Sequence, residues 1–462
     1  MKLDGIAERI KRKMASRGID PEAIATFIQM VEQIDVEHSA YSPLDVVSTP
    51  DAALLLNPPD GLDLARLAAR GKALLKKVAV IKLNGGRSTT MGGVVPKGVL
   101  TAKDGRSYLE IIIGQIEAIR ANWGTQIPLV LMNSFFTHDP TMEIIGRFDL
   151  SVLTFIQNQI PRLIEGTLAP LESGTDDDWA PPGHGDVYES LQRTGLLNKL
   201  RRDGCRWGFI SNLDNLAACV EPWILGLIEE EGIEFLLEVT PRTNVDRKGG
   251  TLVVRNGRLD LLEIAQVAPE DRESFMDINR FRVFNTNNVW VDLEAVSTAL
   301  EQKTLRLPLI QNHKIVEGHK IIQLETAMGA AIGSFRRARG LQVGRERFFP
   351  TKKIADLFLL QSDICVLDSM DKLQRNPSRP LSLPLRPTVS FGPEFLNSPL
   401  ELFERFEDPS SVSLVNACSF EVSGPVFFER DIRIEGQVAI NAPHGEVYRI
   451  PKGTVLRDGK YP

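Results

Sequence analysis

From Val78 onward, short apolar runs rich in β-branched residues alternate with helical patterns, and this alternation limits the fold more than any other feature. The runs are VAVIKL (78–83), IPLVLMN (127–133), SVLTFIQ (151–157), RWGFIS (206–211), IEFLLEV (233–239) and FNTNNVWVDL (284–293). Helical spacing lies between several of them, from Tyr108 to Asn122 and from Glu221 to Glu231. Strands that alternate with helices predict a layered α/β fold around a mostly parallel sheet. Ligands of such sheets sit at the carboxyl ends of the strands, so the loops that follow these runs are where a site is expected.

The flanks read differently. Residues 1–76 are expected to be helical. Asp20-Pro21-Glu22 combines an N-cap acid with proline at the first helical position, and Ile24, Phe27, Ile28, Val31 and Ile34 then line one face. That face is expected to pack on the main domain. A second helix, marked by Leu64, Leu67, Ala68 and Leu74, leads into the first strand. The catalytic unit is expected over 77–374. Pro377, Pro380, Pro384 and Pro387 exclude a regular helix at 375–388, which reads as a linker. Residues 389–462 alternate apolar and polar positions with turns at Gly424, Gly436, Gly445 and Gly453, a pattern open to a small β-sandwich or a β-solenoid.

Composition narrows the function. The four cysteines (Cys205, Cys219, Cys365, Cys418) are dispersed, without a CxxC pair, which excludes a zinc ribbon or disulfide scaffold and suits a reducing compartment. The 54 Lys and Arg against 60 Asp and Glu give a formal charge of −6, with no basic excess of the kind a nucleic-acid surface shows. No apolar run approaches the roughly 18 residues of a membrane span. A soluble, cytoplasmic protein is expected, with no nucleic-acid or membrane partner. An anionic ligand would need its positive groups gathered locally.

LNGGRSTTMGGVVPKG (83–98), directly after the first strand, is the strongest local signal. Its four glycines let backbone approach a ligand closely, and successive N–H groups can make a concave anion site. Ser88, Thr89 and Thr90 add hydroxyls, while Arg87 and Lys97 add charge. The stretch has neither the Gly-Lys-Ser/Thr of a Walker loop nor GxGxxG spacing. A plain strand-to-helix turn would also use a glycine pair; the length and the closing Pro-Lys point to a phosphate cradle.

With LNGG…TTMGG…PK (83–97) stand PLVLMNSF (128–135), PPGHGD (181–186), FISNLDNL (209–216) and LEVTPRT…KGGTL (237–252). LLEIAQV (261–267), FNTNNVWV (284–291), IIQLETAMGAAI (321–332) and RFFPTKKIADLFLLQSD (347–363) complete the series. In this order they resemble the eukaryotic-type UDP-glucose pyrophosphorylase (UTP–glucose-1-phosphate uridylyltransferase) family. The resemblance implies a nucleotidyltransferase that makes UDP-glucose and pyrophosphate from UTP and glucose 1-phosphate with Mg²⁺. It also implies a Rossmann-like (GT-A-like) mixed sheet followed by a left-handed parallel β-helix. Two other readings stay open: the same chemistry on another sugar 1-phosphate or nucleotide, and a non-catalytic sugar-nucleotide sensor or scaffold.

The reaction brings two polyanions together, and the attacking phosphate oxygen is already ionised. Catalysis is therefore expected to rest on alignment and charge neutralisation rather than on a general base. The resemblance makes Lys97 and Lys352 the charge-stabilising pair, with Lys353 the neighbouring rival. It places Leu83, Asn84, Gly85, Gly86, Met132, Gln157 and Gly183 at the nucleotide, where the Gln157 amide suits the edge of uracil. His184, Asn212, Glu263, Asn285 and Asn287 are implied at the sugar phosphate, and Asp214 at Mg²⁺, which commonly takes one or two carboxylates plus substrate phosphates. Alternation would put Asn285 and Asn287 on one strand face, where a hydrogen-bond ladder between them is the competing role. Asp214 can equally cap a turn, and Met132 can be core. Arg87-Ser88 and Val94-Val95 depart from the family pattern. A tail ending near Leu456-Arg457-Asp458-Gly459 leaves the state of any homo-oligomer open.

Overall fold

The computed structural model describes residues 3–34, 44, 47–86, 95–395, 402, 404–443 and 445–462. Asp20 caps α2 (Pro21–Glu32), its carboxylate accepting the Glu22 N–H at 2.8 Å. Ile24, Phe27 and Val31 bury their side chains in a core shared with α1 (Leu3–Ser16) and with Ile160, Leu163 and Trp179. The apolar face of α2 thus packs on the main body, as its periodicity predicts. The 1–76 segment is not helical throughout, because short strands at Val47–Ser48 and at β1 (Leu55–Leu56) join sheets built from later residues.

The central sheet has eight strands, β1 followed by β2 (Val78–Asn84), β3 (Leu129–Asn133), β4 (Val152–Ile156), β5 (Trp207–Asn212), β6 (Phe235–Pro241), β7 (Val283–Asp292) and β8 (Ala338–Gln342). Their order across the sheet is β1-β8-β6-β7-β5-β2-β3-β4. Only β7 runs antiparallel to its neighbours, β5 and β6; the remaining pairings are parallel. The mixed α/β sheet is the one the strand-helix alternation predicts, with β7 as its reversed member.

Every residue of β2 is buried, and its side chains alternate between two cores. Val78 and Val80 pack with Ile112, Ile116 and Ile119 of α3 (Tyr108–Trp123), whereas Ala79, Ile81 and Leu83 pack with Tyr188, Leu191 and Leu237. Ser107 and Glu110 close a capping box at the start of α3, and Gly124 ends the helix in the left-handed region at φ 60°. Two-sided burial forbids a slip of β2, because a one-residue shift would exchange both cores. The strand therefore delivers Leu83, Asn84 and the following glycines to a fixed place at the sheet's carboxyl edge.

Beyond the main sheet, β9 (Thr388–Phe391), β10 (Ser413–Ser423), β12 (Arg433–Asn441), β14 (Val455–Leu456) and β15 (Gly459–Tyr461) form one sheet, while β11 (Val426–Phe428) pairs with β13 (Tyr448–Ile450). All of these pairings are parallel. The strands meet the catalytic half through α4 (Ile354–Gln361), whose Phe358 ring lies 4.9 Å from Phe406 and 5.4 Å from Phe391 between centroids. Within the proline-rich stretch, Arg379 is 1 % exposed and donates to the carbonyls of Leu414, Val415 and Ala417. No helix of the described residues is long and apolar enough to cross a membrane.

Candidate active site

The carboxyl ends of β2, β3, β4 and β5 open onto a pocket of about 250 Å³. Its walls take Leu83, Asn84, Gly85 and Gly86 from β2 and the turn after it, Met132 from β3, Gln157 after β4, and Asn212 with Asp214 from β5 and its turn. Lys97, Gly183 and His184 close the pocket from two further loops. Eleven of the expected site residues thus meet in one place. Arg87, Ser88, Thr89, Thr90 and Val94 lie outside the described residues, so the proposed hydroxyl and Arg87 contributions have no structural account here.

Close approach explains two of the glycines. A Cβ on Gly85 would sit 2.1 Å from Gln157 Nε2, so the Gln157 amide lies directly over that backbone. Gly183 has φ +85°, and a Cβ there would meet the Thr326 carbonyl oxygen at 2.5 Å. The Gln157 side chain is 5 % exposed and takes no hydrogen-bond partner among the described residues, leaving its donor and acceptor for a ligand. Asn84 differs. Its Nδ2 donates to Asn133 Oδ1 at 2.8 Å and to Thr141 Oγ1 at 2.7 Å, which fixes the end of β2. Met132 is both core and wall, at 1 % exposure.

Charge is concentrated at Lys97 and Asp214. Lys97 Nζ donates to Asp214 Oδ2 at 2.7 Å and to the Thr351 carbonyl at 2.8 Å. The second oxygen, Asp214 Oδ1, is buried and has no hydrogen-bond partner among the described residues. An ionised oxygen left bare in a pocket wall is costly unless a cation or donor arrives. Among the described residues no three His, Cys, Asp or Glu side chains gather as a metal cluster. Asp214 can therefore hold a hard divalent cation only where a ligand supplies further oxygens, which is the coordination habit of Mg²⁺ at phosphates.

His184 is oriented by a backbone donor: the Met328 N–H points at its Nδ1 from 2.9 Å. Nδ1 accepting leaves the proton on Nε2, so the neutral ring presents a donor. Burial, helped by the charge of Lys352, lowers the His184 pKa to about 4. The folded state thus binds fewer protons than the unfolded one between about pH 4 and the ordinary value of 6.5. The stability this group contributes is complete above pH 6.5 and is lost as pH falls toward 4. NMR of ¹³C-labelled histidine rings is expected to show no titration of His184 between about pH 5.5 and about pH 8. A midpoint near the free value would mean that the ring is solvated and the Met328 bond absent.

Glu263, Asn285, Asn287 and Lys352 form a neighbouring group rather than lining the same pocket. Burial pushes the Glu263 carboxyl up to about 7, opposed by the Lys352 charge and an Asn285 hydrogen bond. Lys352 is exposed, 6.0 Å from the Phe284 ring, and its charge acts on both Glu263 and His184, which joins the two groups. The two asparagines meet, as a shared strand face requires, across an irregularity in the strand. Asn287 adopts φ +56° beside a register shift opposite Glu238 and Val239, and Asn285 Nδ2 donates to Asn287 Oδ1 at 2.8 Å. The two side chains bond to each other, the ladder that competed with a ligand role.

Two contributors went unnoticed in the sequence. Glu325 lines the pocket from the strand His319–Thr326 and accepts from Gln323 Nε2 at 2.6 Å. Thr351 supplies the carbonyl that holds Lys97, and the Tyr108 hydroxyl donates to its Oγ1 at 2.5 Å. Both lie in motifs quoted above, but a single acid and a backbone carbonyl carry no local signal. A larger open cleft of about 1090 Å³, lined by Arg206, Glu234, Arg258, Arg306 and Arg336 among others, contains none of the expected site residues.

Glycines, a lysine–carboxylate pair and the Gln157 amide, unpartnered among the described residues, at the carboxyl edge of a mainly parallel sheet define an α/β protein built to bind a phosphorylated ligand. The model of the UTP–glucose-1-phosphate uridylyltransferase family matches residues 26–435, and the chain belongs to that family of enzymes. It is 43 % identical over 394 residues to the UTP–glucose-1-phosphate uridylyltransferase of Solanum tuberosum, covering 84 % of this chain and 82 % of that one. It is 40 % identical over 470 residues to the Hordeum vulgare protein of the same name, covering 99 % and 96 %. Among solved structures it resembles a UDP-glucose phosphorylase of Trypanosoma brucei, at TM-score 0.88 and 32 % identity over 99 % of each chain. A Leishmania major UDP-glucose pyrophosphorylase mutant in complex with UDP-glucose gives TM-score 0.85 and 32 % identity over 98 % of each chain.

Proposed function

We propose that this chain makes UDP-glucose and pyrophosphate from UTP and glucose 1-phosphate. An oxygen of the sugar phosphate attacks the α-phosphorus of UTP, the new P–O bond forms, and the α–β phosphoanhydride breaks to release pyrophosphate. The attacking oxygen carries its own charge, so no side chain has to remove a proton. What remains for the protein is alignment and screening of the gathered negative charge.

The observation that carries this reading is the Lys97–Asp214 pair at 2.7 Å, with Asp214 Oδ1 buried and unpartnered among the described residues. In the proposal Lys97 leaves the carboxylate for the phosphates of UTP. The Gln157 amide, lying over Gly85, reads the uracil edge, with Leu83, Asn84, Gly85, Gly86, Met132 and Gly183 as walls. His184 donates from Nε2 to the sugar phosphate. Asn212, Glu263, Asn285 and Asn287 supply the remaining polar groups for the sugar, and Lys352 approaches the transferring phosphate from its loop. Asp214 would hold Mg²⁺, which supplies neutralising charge to the phosphates when bound.

The same reading assigns an N-terminal segment to 1–76, helical at α1, α2 and Gly61–Leu74 but lending two short strands to later sheets, the Rossmann-like, GT-A-like catalytic domain to 77–374, a linker to 375–388 and a left-handed parallel β-helix to 389–462. Support for the last comes from the uniformly parallel pairing of β9 to β15. Buried, dispersed thiols support a cytoplasmic setting; Cys205, Cys219 and Cys365 are buried and unpaired.

The test is pyrophosphate release from four nucleoside triphosphates against a panel of sugar 1-phosphates, with and without Mg²⁺. UTP with glucose 1-phosphate is expected to dominate, to yield UDP-glucose stoichiometrically and to stop when Mg²⁺ is chelated. A clear preference for another pair would displace the substrate assignment. Tight UDP-glucose binding without turnover would make the chain a sensor.

A further inference from the structure

The residue after Asp214 in the turn beyond β5 is Asn215. Asn215 is 1 % exposed and faces away from the pocket, toward the segment that leads from β8 to α4 and carries Lys352. Its side-chain amide behaves there as a strand partner. Oδ1 accepts the Phe349 N–H at 2.9 Å, and Nδ2 donates to the Arg347 carbonyl at 3.2 Å and to Asn288 Oδ1 at 3.4 Å. An isolated antiparallel bridge joins Asn215 to Pro350. One residue further, the Thr351 N–H donates to the Asp214 carbonyl at 3.2 Å, while the Thr351 carbonyl takes Lys97. Lys352 is next in the chain.

Two adjacent residues of one turn therefore grip both cationic groups. The Asp214 side chain holds Lys97, and the Asn215 side chain holds the backbone that ends in Lys352. Only an amide does this, because the segment offers one donor and one acceptor two residues apart, and Asn presents both complements on one short side chain. Aspartate has no donor; a residue without a polar end leaves the Phe349 N–H and the Arg347 carbonyl buried and unsatisfied.

We propose that Asn215 is a positioning residue that sets where Lys352 stands relative to Asp214, and that it affects turnover through Lys352 alone. This rests on the role given to Lys352 in the proposed reaction. Groups that orient a metal ligand from behind typically cost about 10–100-fold in affinity or activity when removed, and the same scale is expected for a group that orients a charged side chain. Asn215→Ala is accordingly expected to lower kcat about 30-fold, with the KM for UTP and the Mg²⁺ concentration at half-maximal rate within about 2-fold of the parent.

The deciding experiment is a double-mutant cycle on folded protein. If Asn215 acts through Lys352, Asn215→Ala made in a Lys352→Met background lowers kcat by less than about 3-fold more, because the residue it positions is gone. Asn215→Asp, which keeps the shape and the Phe349 bond but loses both donations, serves should the alanine variant fold poorly, and the same non-additivity is expected of it. Losses that multiply in the cycle overturn the proposal and make Asn215 a general structural residue. A raised Mg²⁺ requirement in Asn215→Ala overturns it too, since the effect would then run through Asp214. Should Lys352→Met turn over normally, both this inference and the assignment of Lys352 fall; multiplying losses remove this inference alone.

Discussion

Lys352→Met is expected to lower kcat for UDP-glucose formation by about 10²–10³-fold, the cost found when a donor aimed at developing charge is removed. The melting temperature should stay within about 1 °C, because substitutions of exposed residues usually change stability by less than about 0.5 kcal/mol. The two halves of this result come from different atoms of the same residue. The Lys352 backbone N–H donates to Asp356 Oδ2 at 2.9 Å and helps start α4, a bond that methionine keeps. The ammonium, by contrast, is exposed, and its field already reaches His184 and Glu263. Two unit charges at 4 Å interact by about 4 kcal/mol at an effective dielectric near 20, enough for the expected loss. In the proposed role that charge meets the transferring phosphate most strongly as the anhydride breaks, which puts the loss in kcat more than in KM. Lys353 supplies the control. It is also exposed and its N–H donates to the same Asp356 oxygen, so Lys353→Met tests the neighbouring charge without a change of backbone role. Activity within about 3-fold of the parent is expected for Lys353→Met. If Lys353 carries the large loss and Lys352 does not, the assignment of the second lysine is exchanged.

The central strands were legible because β2 and β3 are buried throughout and β5 and β6 up to their last residue, which forces long apolar runs. The reversed direction of β7 was not, since direction depends on which strands a segment meets and leaves no local trace. The positive φ of Asn287 and the register shift beside it left no trace in the sequence, although Asn285 and Asn287 still meet as alternation placed them. At the site, residues within or just beyond strand ends were recoverable. Gln157 and Asp214 follow apolar runs directly, and the carboxyl edge of a parallel sheet is a general rule; Lys97, well past the end of β2, was marked by the glycine-rich stretch it closes and by the family resemblance. Long-range partners were out of reach. Thr351 meets Lys97 across 254 positions, and Arg347 meets Glu238 across 109. In the proline-rich stretch, the prolines announce the lack of a helix, but nothing local announces that Arg379 is buried against three carbonyls.

The second large effect concerns stability. Glu238 of β6 is wholly buried, and its carboxylate accepts four donors: Arg347 Nε at 2.9 Å and Nη2 at 2.7 Å, Trp290 Nε1 at 2.9 Å and Asn288 Nδ2 at 3.1 Å. Arg347→Met removes the only formal positive charge among those four and leaves a desolvated carboxylate on two neutral N–H groups. Breaking a buried pair from one side costs about 3–5 kcal/mol, whereas replacing both partners with apolar or neutral groups is often close to neutral. At roughly 2.1 cal/mol/K per residue for a cooperative transition of this 462-residue chain, that cost lowers the melting temperature by about 3–5 °C. Differential scanning calorimetry should therefore rank the variants in an order that pairwise loss of contacts would not give. The double variant Glu238→Gln with Arg347→Met should melt above Arg347→Met alone, because it has fewer hydrogen bonds but no stranded charge. Arg347→Lys should fall between the parent and Arg347→Met, keeping the charge while losing the planar fork that bonds both carboxylate oxygens. The segment 347–352 makes the result bear on catalysis as well, because Arg347 anchors the start of the loop whose far end is Lys352. A double variant that melts no higher than Arg347→Met would place the cost in lost packing around the guanidinium, and the ion pair would then be incidental to how that loop is held.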